Sequence, residues 1–152
     1  MNKDFLKKTA LFEDLTEDEL VEIILIGQQK TFQKGQFIFS EDDPGNSLFL
    51  IVDGSVRISK IQAGGEEALA VLKANSYFGE MSLFRFEPRS AHAIAHEKTS
   101  LFEIQNTALL KLFDQNRDIG FKFLWSFCKT LSSRLRNTNE KFNLIMTLAN
   151  FC

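Results

Sequence analysis

The sequence predicts an α+β fold in which a sandwich or barrel of short β-strands is flanked by helices at both ends. Three features point to it: a helical period at the start of the chain, a period of two with glycine turns through the middle, and a long helical pattern near the end. A length of 152 residues favours one domain, 1–152, with its own core. We divide it into a helical lead (1–28), a strand-rich region (29–105) and C-terminal helices (106–149).

Composition and charge exclude several classes of protein. A formal net charge of −2 gives no support to nucleic-acid binding, which needs a basic surface. No apolar run has the length of a membrane span, and no apolar segment follows the N-terminus as in a secretory signal. Cys128 and Cys152 suggest neither an internal disulfide nor a metal site, so we expect no metal and a reducing, cytoplasmic compartment.

The helical lead begins with a short helix over residues 2–8, after which Leu11 and Phe12 are expected to enter the core. Thr16 is followed three residues later by Glu19, which is the pattern of a capping box. Apolar residues then recur with helical spacing to the end of the lead. The lead is therefore predicted to hold two helices.

The strand-rich region shows alternating or continuous apolar runs separated by turn residues. Asp53-Gly54 between two such runs is a strong hairpin dipeptide. The predicted strands cover 31–34, 37–39, 48–52, 56–60, 68–72, 90–95 and 100–104. Many short strands at even spacing favour a sandwich or barrel.

The segment 78–93 carries the strongest functional pattern. Gly79 allows a sharp backbone turn, and a helical turn after it would present free N–H groups and a partial positive charge to an anion. Arg89 offers a planar fork of donors that matches phosphate oxygens, whereas ionised Glu80 accepts hydrogen bonds and suits a sugar hydroxyl. These residues together predict a nucleotide pocket for a single negative charge.

The same segment resembles the phosphate-binding cassette of the cyclic-nucleotide-binding domain family, which includes catabolite-activator-type regulators and regulatory subunits of cAMP-dependent protein kinase. The resemblance rests on Phe78-Gly79-Glu80, Met81-Ser82-Leu83 and Pro88-Arg89-Ser90-Ala91. It implies the family's jelly-roll-like β-roll, with Glu80 on the ribose 2′-hydroxyl and Arg89 and Ser90 on the cyclic phosphate. The family usually has Gly-Asp where this chain has Glu41-Asp42, and we expect Gly45 to supply the turn.

Val56 and the segment 69–72 of the roll are expected to wall the pocket. Leu69 and Leu72 are candidates for contact with the base or sugar, although residues of this kind more often belong to the core. The residues of the roll expected at the ligand are Phe78, Gly79, Glu80, Met81, Ser82, Arg89, Ser90, Ala91, Leu69 and Leu72.

The C-terminal region is predicted to hold a short helix capped by Asn106 and a long helix over residues 118–149. Apolar residues recur along the long helix with alternating spacings of three and four. This seam consists of Phe121, Leu124, Cys128, Leu131, Leu135, Thr138, Phe142, Ile145 and Ala149. A period near 3.5 predicts a parallel homodimer along this helix; the alternative is a helix that packs on its own roll.

Thr138 is polar within the seam and has two possible roles. A polar seam residue can fix the register of a coiled coil. The resemblance implies instead that Thr138 and Asn139 contact the adenine amino group, one of them from the partner subunit, and that Arg134 lies near the ligand or holds Glu80. Both roles stay open at this point.

The pattern as a whole predicts a non-catalytic sensor that binds a cyclic nucleotide and signals through its C-terminal helix to an unidentified effector protein or output domain. Ser90 with Thr138 and Asn139 favours cAMP, and cGMP is the alternative ligand. An enzyme is disfavoured, since Glu80, His92 and His96 are the only conceivable hydrolytic set. A ligand-free dimerising module of the same fold is the remaining alternative.

Overall fold

A computed structural model describes residues 2–150 of the chain. In chain order the elements are α1 (Lys3–Lys7), α2 (Glu17–Ile26), β1 (Gly27–Phe32), β2 (Phe37–Phe39), β3 (Ser47–Asp53), β4 (Ser55–Gln62), β5 (Gly65–Lys73), β6 (Tyr77–Phe78), a 3₁₀ turn (Glu80–Ser82), β7 (His92–Ala95), β8 (Thr99–Gln105), α3 (Asn106–Gln115) and α4 (Arg117–Asn150). The α+β class predicted from the sequence is confirmed.

The strands form two antiparallel four-stranded sheets, with the orders β1-β8-β3-β6 and β2-β7-β4-β5. Apolar side chains of both sheets make one cluster, which closes the roll from the inside. Its buried members are Phe49, Ile51, Val56, Phe78, Ala93 and Leu101. A second and larger cluster joins the helices to the β1-β8-β3-β6 sheet and includes Phe12, Leu20, Phe102, Ile119 and Phe123.

The predicted capping box at α2 is present. The Thr16 hydroxyl accepts from the backbone N–H of Glu19, and the Glu19 carboxylate accepts from the backbone N–H of Thr16 at 2.7 Å. β1 starts at Gly27, earlier than the predicted Thr31, and pairs with β8 along its full length. Because the residues between these positions are polar and exposed on an edge strand, no period of two marks them in the sequence.

The turn before β3 differs from the prediction in which residue bends the backbone. Asp42 adopts the left-handed conformation, with φ of 68°, whereas Gly45 has no positive φ. Gly45 is needed for space instead, because a Cβ there would lie 2.2 Å from the carbonyl oxygen of Glu87 and 2.2 Å from Oγ of Ser82. Aspartate tolerates the left-handed region better than most residues.

Asn106 is the first residue of α3 and not its cap, so the prediction for this residue is wrong. The N-cap position belongs to Gln105, whose side chain makes no capping hydrogen bond. The Asn106 side chain is fully buried and contacts two loops of the roll instead. A local pattern of an asparagine before a helix cannot distinguish these two uses of the amide.

α4 has 34 residues and changes character along its length. Its first half packs into the helical cluster through Ile119, Phe123 and Phe127. The residues from Leu131 to Ala149 are exposed in the single chain, and so are the earlier seam residues Phe121, Leu124 and Cys128. Cys128 is exposed and not bonded to another cysteine among the described residues, and Cys152 lies outside them. No helix within residues 2–150 is long and apolar enough to cross a membrane.

Candidate functional site

A cavity of about 300 Å³ lies between the β2-β7-β4-β5 sheet, the 3₁₀ turn and α4. Its volume falls in the range of small-molecule sites. The lining residues are Phe39, Ile58, Ala70, Leu72, Tyr77, Phe78, Gly79, Glu80, Met81, Ser82, Arg89, Ser90, Ala91 and Arg134. The wall is thus mostly apolar. Its charged groups are Arg89 inside the roll and the ion pair of Glu80 with Arg134 beside α4.

Arg89 is the buried cation of this site, with 4% of its surface exposed. Its Nη1 donates to the carbonyl oxygen of Gly79 at 3.1 Å, and its Nη2 donates to the carbonyl oxygen of Ser47 at 2.8 Å. The guanidinium lies over the ring of Phe39, 4.2 Å from the ring centre. Two carbonyls and one aromatic face therefore fix the plane of the fork.

No carboxylate pairs with Arg89 within residues 2–150, and its buried Nε–H has no acceptor there. Burial lowers the pKa of the Arg89 guanidinium, and the nearby carboxylates of Glu103, Asp43 and Glu80 oppose that shift. These carboxylates act on Arg89 only at a distance, and a buried cation that makes no direct ion pair is stabilised when an anion joins it. The site is therefore electrostatically prepared for an anion.

Glu103 does not serve as that counter-ion, because other groups occupy its carboxylate. Lys30 Nζ lies 2.5 Å from Glu103 Oε2, and the Ser47 hydroxyl donates to Oε1 at 2.8 Å. Burial would raise the pKa of Glu103, but the hydrogen bonds from Lys30, Ser47 and Gln28 outweigh it and hold the pKa below its ordinary value. Glu103 thus supports the Ser47 strand that carries one carbonyl partner of Arg89.

Local backbone geometry places Arg89 in the cavity. Gly79 has φ of 81°, and a Cβ there would lie 2.7 Å from Nη1 of Arg89 and 2.9 Å from the carbonyl oxygen of Ser47. Only glycine allows this approach without strain. On the other side, the Arg89 backbone N–H donates to the carbonyl of Asp43, and the Asp42 N–H donates to the carbonyl of Arg89, both at 2.9 Å.

Glu80 and Arg134 form an ion pair across the mouth of the cavity. The Glu80 side chain is 11% exposed and the Arg134 side chain 48%. The Arg134 guanidinium also lies 5.1 Å from the ring centre of Tyr77. Burial would lower the pKa of Arg134, but its hydrogen bond and charge interaction with Glu80 outweigh this and raise it. Arg134 of α4 therefore contacts the cassette at Glu80, the carboxylate that is predicted from the sequence to bind the ribose.

The cassette residues predicted from the sequence all line the cavity, as do Leu72 and Arg134. Phe78 forms part of its floor, where its ring stacks on Phe49 with 5.2 Å between the ring centres. The Ser90 side chain is exposed, and its hydroxyl lies 3.8 Å from the sulfur of Met81. The structure thus brings together the anion-binding and hydroxyl-binding groups of the prediction.

Leu69 does not line the cavity, contrary to its prediction as a wall residue. It is 53% exposed and is the extra residue where the pairing of β4 with β5 shifts between Ala68 and Ala70. Alternate residues of a strand lie on the same face. Leu72 therefore lines the cavity together with Ala70, and Leu69 does not. The spacing of three between the two leucines was already inconsistent with a common face.

Thr138 and Asn139 are also outside the cavity lining of the single chain. Both are exposed on α4, and Thr138 lies one helical turn beyond Arg134. Their expected contact with a base stays a prediction that involves a second chain.

Sequence reasoning missed Phe39, Ile58 and Tyr77 as lining residues. Ala70 lies within the predicted wall segment 69–72, whereas Val56, also predicted for the wall, is a buried core residue. Alternation along the strands indicates Ile58, because it is the partner of Ala70 across the β4–β5 pair. Tyr77 directly precedes Phe78 in β6 and is 5% exposed. Phe39 is identified only by its contact with Arg89.

A metal-dependent reaction has no candidate ligand set in the described part of the chain. Within residues 2–150, no three His, Cys, Asp or Glu side chains lie close enough together to hold an ion.

Comparison with known proteins adds an independent finding. Residues 29–116 match the family model described as the cyclic nucleotide-binding domain. The cyclic AMP receptor protein of Thermus thermophilus is 36% identical over 141 residues, which cover 92% of this chain and 63% of the relative. Human cGMP-dependent protein kinase 2 is 26% identical over 155 residues, which cover 98% of this chain and 19% of the kinase.

Solved structures agree with the observed architecture. The crystal structure of the Thermus thermophilus catabolite activator protein superposes with a TM-score of 0.78 and 30% identity, covering 90% of this chain and 63% of that chain. The chain spans less than two thirds of the length of these curated relatives.

Proposed function

The chain belongs to the cyclic nucleotide-binding domain family, and on that premise we propose that it is a regulatory module that binds cAMP in the cavity and passes this event on through α4. The module itself is non-catalytic in this proposal. Its output resides in an effector protein or a further domain that the sequence does not identify.

The observation that carries the proposal is the buried, carboxylate-free guanidinium of Arg89. A cyclic phosphate is a monoanion that can accept from this fork, and it would neutralise a charge that the fold has already desolvated. Residues 80–82 of the 3₁₀ turn line the same cavity, and in the proposal the N–H groups at its start add donors. Arg89 and Ser90 are therefore the proposed phosphate-binding residues.

The ribose is proposed to bind at Glu80. Its carboxylate is acceptor-only when ionised and now accepts from Arg134. Arg134 bonds Oε1 of this carboxylate, and in the proposal a ribose 2′-hydroxyl that donates to Glu80 displaces or reorients that pair. Ligand binding would then change the contact between the cassette and α4, which supplies the two states that a regulatory mechanism requires.

The choice of cAMP over cGMP rests on Ser90 at the phosphate and on Thr138 and Asn139 near the base. The relative from Thermus thermophilus is named a cyclic AMP receptor protein, which agrees with this choice. A second relative is named a cGMP-dependent kinase, so cGMP is the competing ligand. In both cases the base would extend from the cavity towards the α4 residues beyond Arg134.

A parallel homodimer along α4 is part of the proposal. The seam residues on this helix are exposed in the single chain, for example Leu135 at 62% and Phe142 at 60%. A run of such residues with a period near 3.5 is the sequence requirement for a coiled coil. Dimerisation would cover the seam and bring Thr138 and Asn139 of a second chain towards the cavity.

Calorimetric titration with cAMP and cGMP tests the ligand. We expect a micromolar or tighter Kd for cAMP and weaker binding of cGMP. Arg89→Ala should weaken cAMP binding at least about 30-fold, because removal of a buried partner from a charged hydrogen-bonded pair costs about 2 kcal/mol or more. Arg85→Ala is the matched control, since Arg85 lies on the same loop and is exposed. A folded wild-type protein that binds neither nucleotide would favour a ligand-free interaction module.

Sedimentation velocity tests the dimer. Leu135→Glu places a charge in the seam and should yield monomers at concentrations where the wild type is dimeric. Leu144→Glu is the matched control: Leu144 is 60% exposed but lies nine residues further on, on the opposite side of the helix. A monomeric wild type would disprove the dimer, and equal effects of both substitutions would show that the seam is not the interface.

A further inference from the structure

Asn106 joins two segments of the roll that lie next to the proposed ligand site. Its amide nitrogen Nδ2 donates to the carbonyl of Gly45 at 3.1 Å and to the carbonyl of Ser82 at 3.2 Å. Its backbone N–H donates to the carbonyl of Asn46 at 2.9 Å. One fully buried residue at the start of α3 thus holds the loop before β3 and the last residue of the 3₁₀ turn.

Gly45, which Asn106 holds, also approaches the exposed part of the cassette at two residues, Ser82 and Glu87. Gly45 lies so close to Ser82 and Glu87 that a Cβ would come within 2.2 Å of Ser82 Oγ and of the Glu87 carbonyl oxygen. Residues 84–88, which follow Ser82 and include Glu87, are exposed. The position of the cassette on the fold therefore depends on the junction that Asn106 makes.

Asn106 uses its amide through the nitrogen. The side-chain oxygen Oδ1 is buried and has no partner among the described residues. An apolar side chain would leave the carbonyls of Gly45 and Ser82 without this donor, so the amide contributes to the fold and to the position of both segments. The useful half of the amide is the nitrogen, and both of its acceptors belong to the segments that shape the ligand site.

We propose that Asn106 is a positioning residue for the cyclic nucleotide, an inference that rests on the proposed function. It does not touch the ligand. By holding the Ser82 carbonyl it sets the location of the 3₁₀ turn, and hence of the Glu80 carboxylate and of the turn's free N–H groups. It is also the first residue of α3, a helix that packs against α4.

Asn106→Asp tests this through the pH dependence of cAMP affinity. The ionised aspartate has no donor and repels the two carbonyls, so affinity at pH 8 should fall at least about tenfold, the equivalent of one lost hydrogen bond at a buried site. The neutral acid can donate one hydrogen bond, and burial raises its pKa. The ratio of variant to wild-type Kd should therefore fall at least about threefold between pH 8 and pH 5. Taking the ratio at each pH removes the titration of groups that both proteins share.

Two further variants separate positioning from stability. Asn106→Leu lacks both the donor and the charge, so it should bind more weakly than the wild type with no change of the Kd ratio with pH. Ile23→Ala removes a fully buried side chain of α2, which lowers the unfolding temperature but should leave the affinity of the folded protein unchanged. Circular dichroism at each pH confirms that the titrated protein is folded.

The outcomes distinguish this inference from the proposed function. If the wild type binds no cyclic nucleotide, both are wrong. If the wild type binds and Asn106→Leu binds equally well at neutral pH, only the role of Asn106 is wrong. That role is also wrong if Asn106→Asp is as weak at pH 5 as at pH 8 relative to the wild type.

Discussion

The two walls of the cavity hold their arginines in opposite ways. On the roll side, Arg89 is buried and bonded to two backbone carbonyls, with no carboxylate partner in the described structure. On the helix side, Arg134 is half-exposed and bonded to the carboxylate of Glu80. The Ser47 carbonyl belongs to a paired strand and the Gly79 carbonyl to the turn directly after β6, so we expect both to move less easily than a half-exposed ion pair. Such an ion pair can exchange partners with little change in free energy.

In the proposed function, this difference would separate binding from response. A guanidinium that is already oriented and desolvated binds an anion without rearrangement, which favours affinity. An ion pair that a ligand hydroxyl can compete for reports that the site is filled. We call the surroundings of Arg89 the roll wall and the surroundings of Arg134 the helix wall. We expect changes in the roll wall to affect affinity strongly. Changes in the helix wall should affect the response more than the affinity.

Gly79→Ala should break the roll wall. The new Cβ meets Arg89 Nη1 at 2.7 Å in a left-handed backbone, so the arginine must shift. We expect cAMP affinity to fall at least about tenfold and the free energy of unfolding to fall by about 2 kcal/mol. Gly35→Ala is the matched control, because Gly35 has φ of 84° but open space around it, and it should lose stability without losing affinity. Equal affinities for Gly79→Ala and the wild type would contradict a fixed Arg89.

Glu103→Gln should lower the free energy of unfolding by an amount that depends on pH, because Glu103 bonds the Ser47 strand beside Arg89. The pKa of Glu103 is lower in the folded than in the unfolded chain, so its charge stabilises the fold at neutral pH and this contribution is lost as the pH falls through the folded-state pKa. We expect a loss of about 1–2 kcal/mol at pH 7 that shrinks below about pH 4. Urea denaturation at both pH values measures it, with the exposed Glu67→Gln as control. A loss that is constant with pH would contradict the assigned cause.

Arg134→Ala should have the smallest effect on affinity. The half-exposed pair contributes about 0–1 kcal/mol, and its removal leaves Glu80 available to the ribose, so the Kd for cAMP should change less than about fivefold. The response should change more: hydrogen exchange of α4 amides around residue 134 should no longer depend on cAMP. A large loss of affinity together with an intact response would reverse the roles assigned to the two walls.

Much of this arrangement was predictable because local sequence determines it. The capping box of α2 and the cassette motif each depend on residues close in the chain, and both appear where expected. The predicted hairpin at Asp53-Gly54 is wrong, because β3 and β4 belong to different sheets and the dipeptide joins one sheet to the other. The family resemblance is confirmed by the match over residues 29–116. The division into lead, roll and C-terminal helices stays a prediction, as do the roles of the site residues at a ligand.

The parts that the sequence misplaced depend on contacts between distant segments. Asn106 looked like a helix cap, but it bonds Gly45 and Ser82, which lie 61 and 24 residues away. Leu69 is the exception: it looked like a wall residue, but alternation along β5 already places it on the face opposite to Leu72. The pairing of Arg134 with Glu80 joins residues 54 apart, and the family resemblance had offered it as one of two roles for Arg134. No local pattern encodes contacts of this kind.

The most direct test of anion binding at Arg89 follows the guanidinium itself by NMR. The Nε–H resonance of Arg89, assigned by its disappearance in Arg89→Lys, reports a buried donor that has no acceptor among residues 2–150. If the cyclic phosphate binds at Arg89, addition of cAMP should shift this resonance and slow its exchange with water. An Arg89 resonance that stays unchanged at saturating cAMP would contradict this assignment, because the ligand would then bind elsewhere.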